Sequence, residues 1–329
     1  MANCQKQLLA ISNTSIMSKV IVFGSINMDL VARSHRLPVA GETLRGHDFF
    51  TAPGGKGANQ AVAAARLGVP TQMVGRLGGD SFGRELLAGL QASSVDTGAV
   101  LVDEAAASGV AIITVDDAGE NNIIIVAGAN GRVNENDVER LKNLLPEAAA
   151  LLLQLEIPMS AVLAAAEAGR QAGVRVILDP APASLDIPQQ LYPLVDIITP
   201  NEVEAGQLVG FPVDGQEAAD KAATILLGWG VGNAIVKLGD RGVFCATSQE
   251  KFFVPAFRVQ AVDTTAAGDA FNGALAAALA EGRSLREAVV WGAAAGAISA
   301  TTAGAQPSLP DREMFDRFLG ERGIFSRQR

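Results

Sequence analysis

The strongest constraint on the fold is an alternation along the chain. Mostly apolar, strand-length runs recur: VIVFG ending at Gly24, ALLLQL around 150–155, VRVILD at 174–179, VDIITP at 195–200 and NAIVKLG at 233–239. A strand wetted on one face alternates polar and apolar residues, so continuous apolar runs belong to central parallel strands covered on both faces. Alanine- and leucine-rich stretches lie between them and are predicted helical over 58–67, 81–92, 136–145, 160–171, 202–209, 216–227, 269–280 and 285–300. The β, α, β, α order predicts a doubly wound, mostly parallel α/β sheet flanked by helices, with ligands at the C-terminal ends of the strands.

Two segments depart from the alternation. Residues 28–51 and 99–126 carry short strands with turn signals, notably Asp116-Asp117-Ala118-Gly119 between AIITV and NNIIIV. They are expected to form a small antiparallel β-sheet acting as a lid. No internal repeat or linker-like stretch interrupts the chain, so residues 19–329 are read as one domain and 1–18 as a disordered tail.

Composition narrows the function classes. With 49 % hydrophobic and 19 % charged residues the chain is a folded globule, and a net charge of −9 without a basic cluster disfavours nucleic acid. Only Cys4 and Cys245 occur, which suits a reducing cytoplasm better than a disulfide framework. His35 and His47 are the only histidines, so histidine-rich zinc sites are set aside and any metal is expected to be bound by oxygen. The long uncharged window at 288–310 is rich in Ala, Gly and Thr and reads as a buried helix with a loop, not a membrane span.

Three motifs carry chemistry. In PGGKGANQAVAAARLG (53–68) paired glycines lead into a helix whose start offers unsatisfied N–H groups. Gln60 stands where a dinucleotide fingerprint needs its third glycine, and a plain helix cap would account for the rest equally well. In AVDTTAAGDAFNGALAAAL (261–279) the run Ala266-Ala267-Gly268 can aim successive backbone N–H groups at an anion. Asp269 follows it directly. A carboxylate there would repel phosphate unless it takes a proton from the attacking group. In TPNEVE (199–204) Asn201 and Glu204 can hold magnesium through water from one face of a helix start, although a helix cap is the favoured reading of that pair alone. Asn27 and Asp29 alternate along an extended segment and so point the same way, toward sugar hydroxyls or toward solvent.

Taken together, GSINMD (24–29), GGKGANQAVAAARLG (54–68), LLLQLE (151–156), DPAPA (179–183), DIITPNEVEA (196–205), KLGDRG (237–242), AVDTTAAGDAFNGALA (261–276) and GAQPS (304–308) resemble the phosphofructokinase-B type carbohydrate kinases. The resemblance runs in order from about Lys19 to the C-terminal region and narrows toward members that phosphorylate D-ribose at its 5-hydroxyl. It implies Asp269 as catalytic base and Ala266, Ala267 and Gly268 as an anion hole. It implies a sugar site of Asn27, Asp29, Gly55, Lys56, Asn59 and Glu156. Asn201 and Glu204 would lie by the phosphates and magnesium, with ATP along Lys237, Gly239 and Gly242. Potassium would sit by Asp263, Thr265, Ser299, Thr302, Gly304 and Ser308, and the lid would form a homodimer contact. The chain departs from the pattern at Lys237, where Thr is common, and at Ala293, where Asn or His often approaches adenine. Open alternatives are a kinase of another sugar or nucleoside, such as deoxyribose or fructose, and a non-catalytic sugar sensor. A nicotinamide oxidoreductase is disfavoured by Gln60.

Overall fold

The computed structural model describes residues 18–183 and 186–324. The tail expected over 1–18 therefore lies, Ser18 apart, outside the described residues.

The first half of the chain supplies β1 (Lys19–Phe23), β2 (Asn27–Arg33), β3 (Asp48–Gly54), α1 (Lys56–Arg66), β4 (Thr71–Gly78), α2 (Ser81–Ala92), β5 (Val95–Asp103), β6 (Gly109–Val115), β7 (Asn121–Val126), α3 (Glu135–Lys142) and β8 (Ala148–Leu153). The second half adds α4 (Met159–Gln171), β9 (Arg175–Leu178), β10 (Ile197–Ile198), α5 (Glu202–Val209), α6 (Gln216–Gly228), β11 (Asn233–Lys237), β12 (Gly242–Thr247), β13 (Lys251–Pro255), α7 (Ala267–Ala280), α8 (Leu285–Ser299) and α9 (Arg312–Glu321).

The main sheet runs β13-β12-β11-β10-β9-β8-β1-β4-β5. All its pairs are parallel except β11–β12 and β12–β13. The apolar runs are continuous because both faces are covered: Val20 and Val22 of β1 enter one core, Ile21 and Phe23 the other. Helices α1, α2, α7, α8 and α9 pack on the first face, and α3, α4, α5 and α6 on the second. Strand order reverses at β1, which lies between β8 and β4, so a crevice opens at the C-terminal ends of β1 and β8.

A second sheet, β3-β2-β6-β7, stands beside the first. It corrects two expectations. Residues 99–103 belong to β5 of the main sheet, and β2 pairs with β6 in parallel, so the lid is mixed. The reason is topological. Strands β1 and β5 run parallel in the main sheet, and each passes after only a few residues into its lid strand, β2 or β6, which therefore leave in the same direction. The pairs β2–β3 and β6–β7 are antiparallel, as the turn signals indicate.

Candidate active site

Close packing of two helices builds the centre of the site. Helices α1 and α7 approach so nearly that a β-carbon at Gly273 would lie 2.4 Å from Ala63 Cβ and 2.8 Å from the Gln60 carbonyl. Glycine is the residue that permits this. The approach sets Asn59 and Gln60 against Asp269 in the first turn of α7: Asn59 Nδ2 donates to Asp269 Oδ2 at 2.9 Å, and Gln60 Nε2 to Oδ1 at 3.1 Å.

Gln60 has two further partners. Its Nε2 also donates to Asp179 Oδ2 at 2.9 Å, and its Oε1 accepts from Gln154 Nε2 at 2.7 Å. Asp179 in turn pairs with Lys237 Nζ at 3.1 Å. Asp269 is buried, and burial pushes its carboxyl up to about 6; Asp179 adds to the rise, while Lys56, Asn59 and Gln60 oppose it. Lys56 is held above its ordinary value, because burial, which acts against its charge, is outweighed by Asp269, Asp179, Glu156 and Glu204.

The residues expected to hold the sugar also meet. Gly55 takes φ +88°, and a β-carbon there would come within 2.6 Å of the Asn27 amide nitrogen, so the start of α1 lies against the start of β2. Glu156 Oε2 accepts from Ser25 Oγ at 2.5 Å, from the Lys56 N–H at 3.2 Å and from Asn27 Nδ2 at 3.5 Å. Asn130 Nδ2 donates to Asn27 Oδ1 at 2.7 Å and fixes which way that amide faces. Burial pushes Asp29 up to about 7, with Glu156 and then Asp269 adding repulsion. One expectation fails here. The first N–H groups of α1 are not open to an anion, since those of Lys56, Gly57 and Ala58 are taken by Glu156, Ser25 Oγ and the Ser25 carbonyl.

The start of α7 differs. The N–H groups of Gly268 and Asp269 have no acceptor among the described residues, and Ala266 supplies no side-chain cap, but the Ala267 N–H, expected in the anion hole, is taken by the Thr264 carbonyl at 3.2 Å as the turn closes. Lys237 Nζ stands 3.4 Å from where a Gly268 β-carbon would be. A cleft of about 760 Å³ is lined by this turn together with Asn201, Glu204, Gly239, Gly242, Val243, Phe257 and Ala293.

Asn201 and Glu204 form a reciprocal helix cap, each side-chain oxygen accepting from the other's backbone N–H at 2.8 Å. The Asn201 oxygen is thereby committed, whereas Glu204 Oε1 accepts no hydrogen bond among the described residues. Burial raises the Glu204 pKa, with Asp179 adding and Lys237 and Lys56 opposing.

The positions expected around potassium gather in two linked loops preceding α7 and following α8. Asp263 Oδ1 accepts from the Thr265 N–H at 2.9 Å and its hydroxyl at 2.5 Å, and Oδ2 from the Gly304 N–H at 2.8 Å. Ser299 and Ser308 hydroxyls share a buried hydrogen bond of 2.7 Å, and the Thr302 N–H donates to the Ser299 carbonyl at 3.2 Å. Sequence reasoning gave no role to Gln60, Gln154, Asp179 or Asn130. Asp179 at least stood inside a recognisable motif, DPAPA.

Residues 17–312 match the pfkB family carbohydrate kinase pattern, which spans both sheets and every residue of this site. The chain belongs to the pfkB family of carbohydrate kinases. Among its pfkB relatives, ribokinase of Haemophilus influenzae is 41 % identical over 91 % of this chain and 97 % of its own length. Deoxyribokinase of Salmonella typhi is 36 % identical over 91 % of this chain and 98 % of its own. The structure of Arabidopsis thaliana ribokinase complexed with ribose and ATP superposes with a TM-score of 0.85 at 36 % identity, covering 92 % of this chain and 98 % of that one. The fold is accordingly the ribokinase-like α/β fold with a separate small sheet.

Proposed function

We propose that this pfkB kinase transfers the terminal phosphoryl group of ATP to the 5-hydroxyl of D-ribose. The observation that carries the reading is Asp269: a buried carboxylate held by two amides, in the same helical turn as two unpaired N–H donors. Phosphoryl transfer passes through a loose transition state, so the protein's work is positioning, charge neutralisation and removal of one proton.

Asp269 takes the proton of the attacking hydroxyl. Asn59 and Gln60 fix the plane of its carboxylate, and its raised pKa makes it a stronger base than an exposed aspartate. The N–H groups of Gly268 and Asp269, the two residues after Ala267, meet charge growing on the phosphoryl oxygens, and the Lys237 ammonium stands beside them. Asn27, Asp29 and Glu156, with Gly55, Lys56 and Asn59 at the start of α1, read the sugar hydroxyls. The mouse and Haemophilus relatives named as ribokinases, each 41 % identical, support ribose as the sugar. ATP would lie along Lys237, Gly239 and Gly242, its base in the cleft near Ala293.

Magnesium, when bound with ATP, would supply neutralising positive charge to the phosphates. Glu204 fits this ion, directly or through water, because one of its oxygens is free of protein donors, while Asn201 offers its amide nitrogen to a phosphate. The two loops at 263–265 and 299–308 would hold potassium through backbone carbonyls, with Asp263 tying them together.

The lid would close the sugar site from water and pair with a second copy. Strand β7 lies at the lid's edge and is exposed along its length, leaving Ile123, Ile124 and Ile125 bare. A cytoplasmic setting fits the buried free thiol of Cys245. No helix among the described residues is long and apolar enough to cross a membrane. The test of the reading is turnover by Asp269→Asn, described below.

A further inference from the structure

The two histidines of the chain, 12 positions apart in sequence, converge on one carboxylate. His35 follows β2, His47 precedes β3, and Asp117 lies in the turn between β6 and β7. His35 Nδ1 is 2.8 Å from Asp117 Oδ2, and His47 Nε2 is 3.2 Å from Asp117 Oδ1. The ring centroids are 5.1 Å apart, and one ligand atom from each of the three residues lies within 4.8 Å of the others. We propose that His35, His47 and Asp117 bind a first-row divalent metal ion of the zinc type at the outer rim of the lid.

The geometry suits such an ion. Zinc held by imidazole nitrogen and carboxylate oxygen at about 2.0–2.2 Å in a tetrahedron places its donor atoms roughly 3.3 Å apart. The two nitrogen–oxygen separations here, 2.8 and 3.2 Å, lie on the lower side of that value, and the three ligand atoms all lie within 4.8 Å of one another. A metal takes an imidazole through a deprotonated ring nitrogen, so it would replace the contacts that both rings now make to Asp117. The donor set, two nitrogens and one carboxylate, favours zinc, cobalt or nickel over magnesium and calcium, which prefer oxygen alone. All three residues are exposed, so an ion reaches them from solvent and water completes the coordination.

The backbone holds the ligands in place beforehand. The His47 N–H donates to the Arg33 carbonyl at 2.9 Å, and the Ser34 N–H to Val115 at 3.0 Å, which lock the ends of β2, β3 and β6 side by side. Within the turn Asp116 Oδ1 accepts from the N–H groups of Ala118 and Glu120, both at 2.9 Å. Asp116 thus closes the turn, and the Asp117 side chain is left to the histidines. A bound ion would tie together the end of β2, the start of β3 and the β6–β7 turn, at the opposite end of β2 from Asn27. The site would therefore be a staple for the lid, separate from the chemistry.

The untagged full-length chain, free of nucleotide, is titrated with Co2+ near neutral pH and its visible absorption recorded. The expected result is one equivalent of Co2+ bound per chain with a d–d band, displaced by stoichiometric Zn2+. His35→Ala, His47→Ala and Asp117→Ala should each weaken it roughly tenfold or more, with kinase turnover on Mg·ATP, measured without added Co2+ or Zn2+, unchanged as proof of folding. Absence of saturable binding would overturn the proposal. So would one-equivalent binding that survives loss of either histidine.

Discussion

Gln60 and Asp269, 209 positions apart in sequence, are joined by a buried hydrogen bond of 3.1 Å, and the same amide nitrogen also reaches Asp179 at 2.9 Å. One neutral side chain thus separates two buried carboxylates. Replacing Gln60 by Ala removes a donor from both and strands the Gln154 amide. We expect Gln60→Ala to cost about 1–3 kcal/mol of stability, the usual penalty for buried groups left unpaired, and to lower kcat. Denaturant melts beside steady-state kinetics check this, and unchanged stability would contradict the bridging role.

Asp269→Asn keeps the shape of the base and removes its proton affinity. We expect kcat to fall by roughly 10²–10⁴, the range for losing a general base, with little change in the KM for ATP. Near-normal turnover would remove Asp269 from the mechanism.

The pH profile follows from the same residue. Asp269 must be ionised to accept a proton, and burial holds its pKa at about 6. Activity should therefore be lost as pH falls through about 6, well above the acid limb of an ordinary aspartate. Asp29, pushed up to about 7, interacts with Asp269, so kcat/KM against pH reports values belonging to the pair. The stability sign is the reverse: a folded pKa above the unfolded value of 3.8 means that Asp269 contributes stability at low pH that is lost as pH rises through about 6. An Asp269→Asn variant that loses as much stability as the wild type over that interval would contradict this assignment.

Asp263 ties the loop before α7 to Gly304 through its two carboxylate oxygens. We expect turnover to be faster in potassium than in sodium, and Asp263→Ala to abolish that difference more than it slows the sodium rate. Equal rates in the two salts for the wild type would argue against a monovalent cation site there.

Strand β7 predicts a lid-to-lid dimer. Sedimentation at micromolar concentration should show a dimer, and Ile124→Glu, placing a charge on the bare edge strand, should give a monomer. A wild-type monomer would contradict the contact.

The parts of the fold legible in the sequence were those governed by local pattern. Continuous apolar runs marked β1, β8, β9, β10 and β11, and helix starts and stops at 81–92, 202–209 and 285–299 followed capping and periodicity. Strand β4 gave no such signal, because Arg76 is buried in it by pairing with Asp137 and Asp103, contacts distant in sequence. The parallel β2–β6 pair was equally hidden, since it depends on where β1 and β5 lie in the main sheet. In the site, Asp269 and the glycines stood out in motifs, whereas Gln60 looked only like a missing glycine. Its role exists because α1 and α7 touch at Gly273, which no local pattern reveals. The pairing of His35 with His47 was invisible for the same reason: they meet only across the antiparallel pair β2–β3.

The central claim is most directly tested by measuring ADP release from Mg·ATP with D-ribose, 2-deoxy-D-ribose, fructose, a nucleoside panel and no acceptor, with the product identified by phosphorus NMR. The account predicts fastest turnover on D-ribose, a 5-phosphate product, and far slower ATP hydrolysis without sugar. Preference for another acceptor, or ADP release independent of sugar, would contradict it.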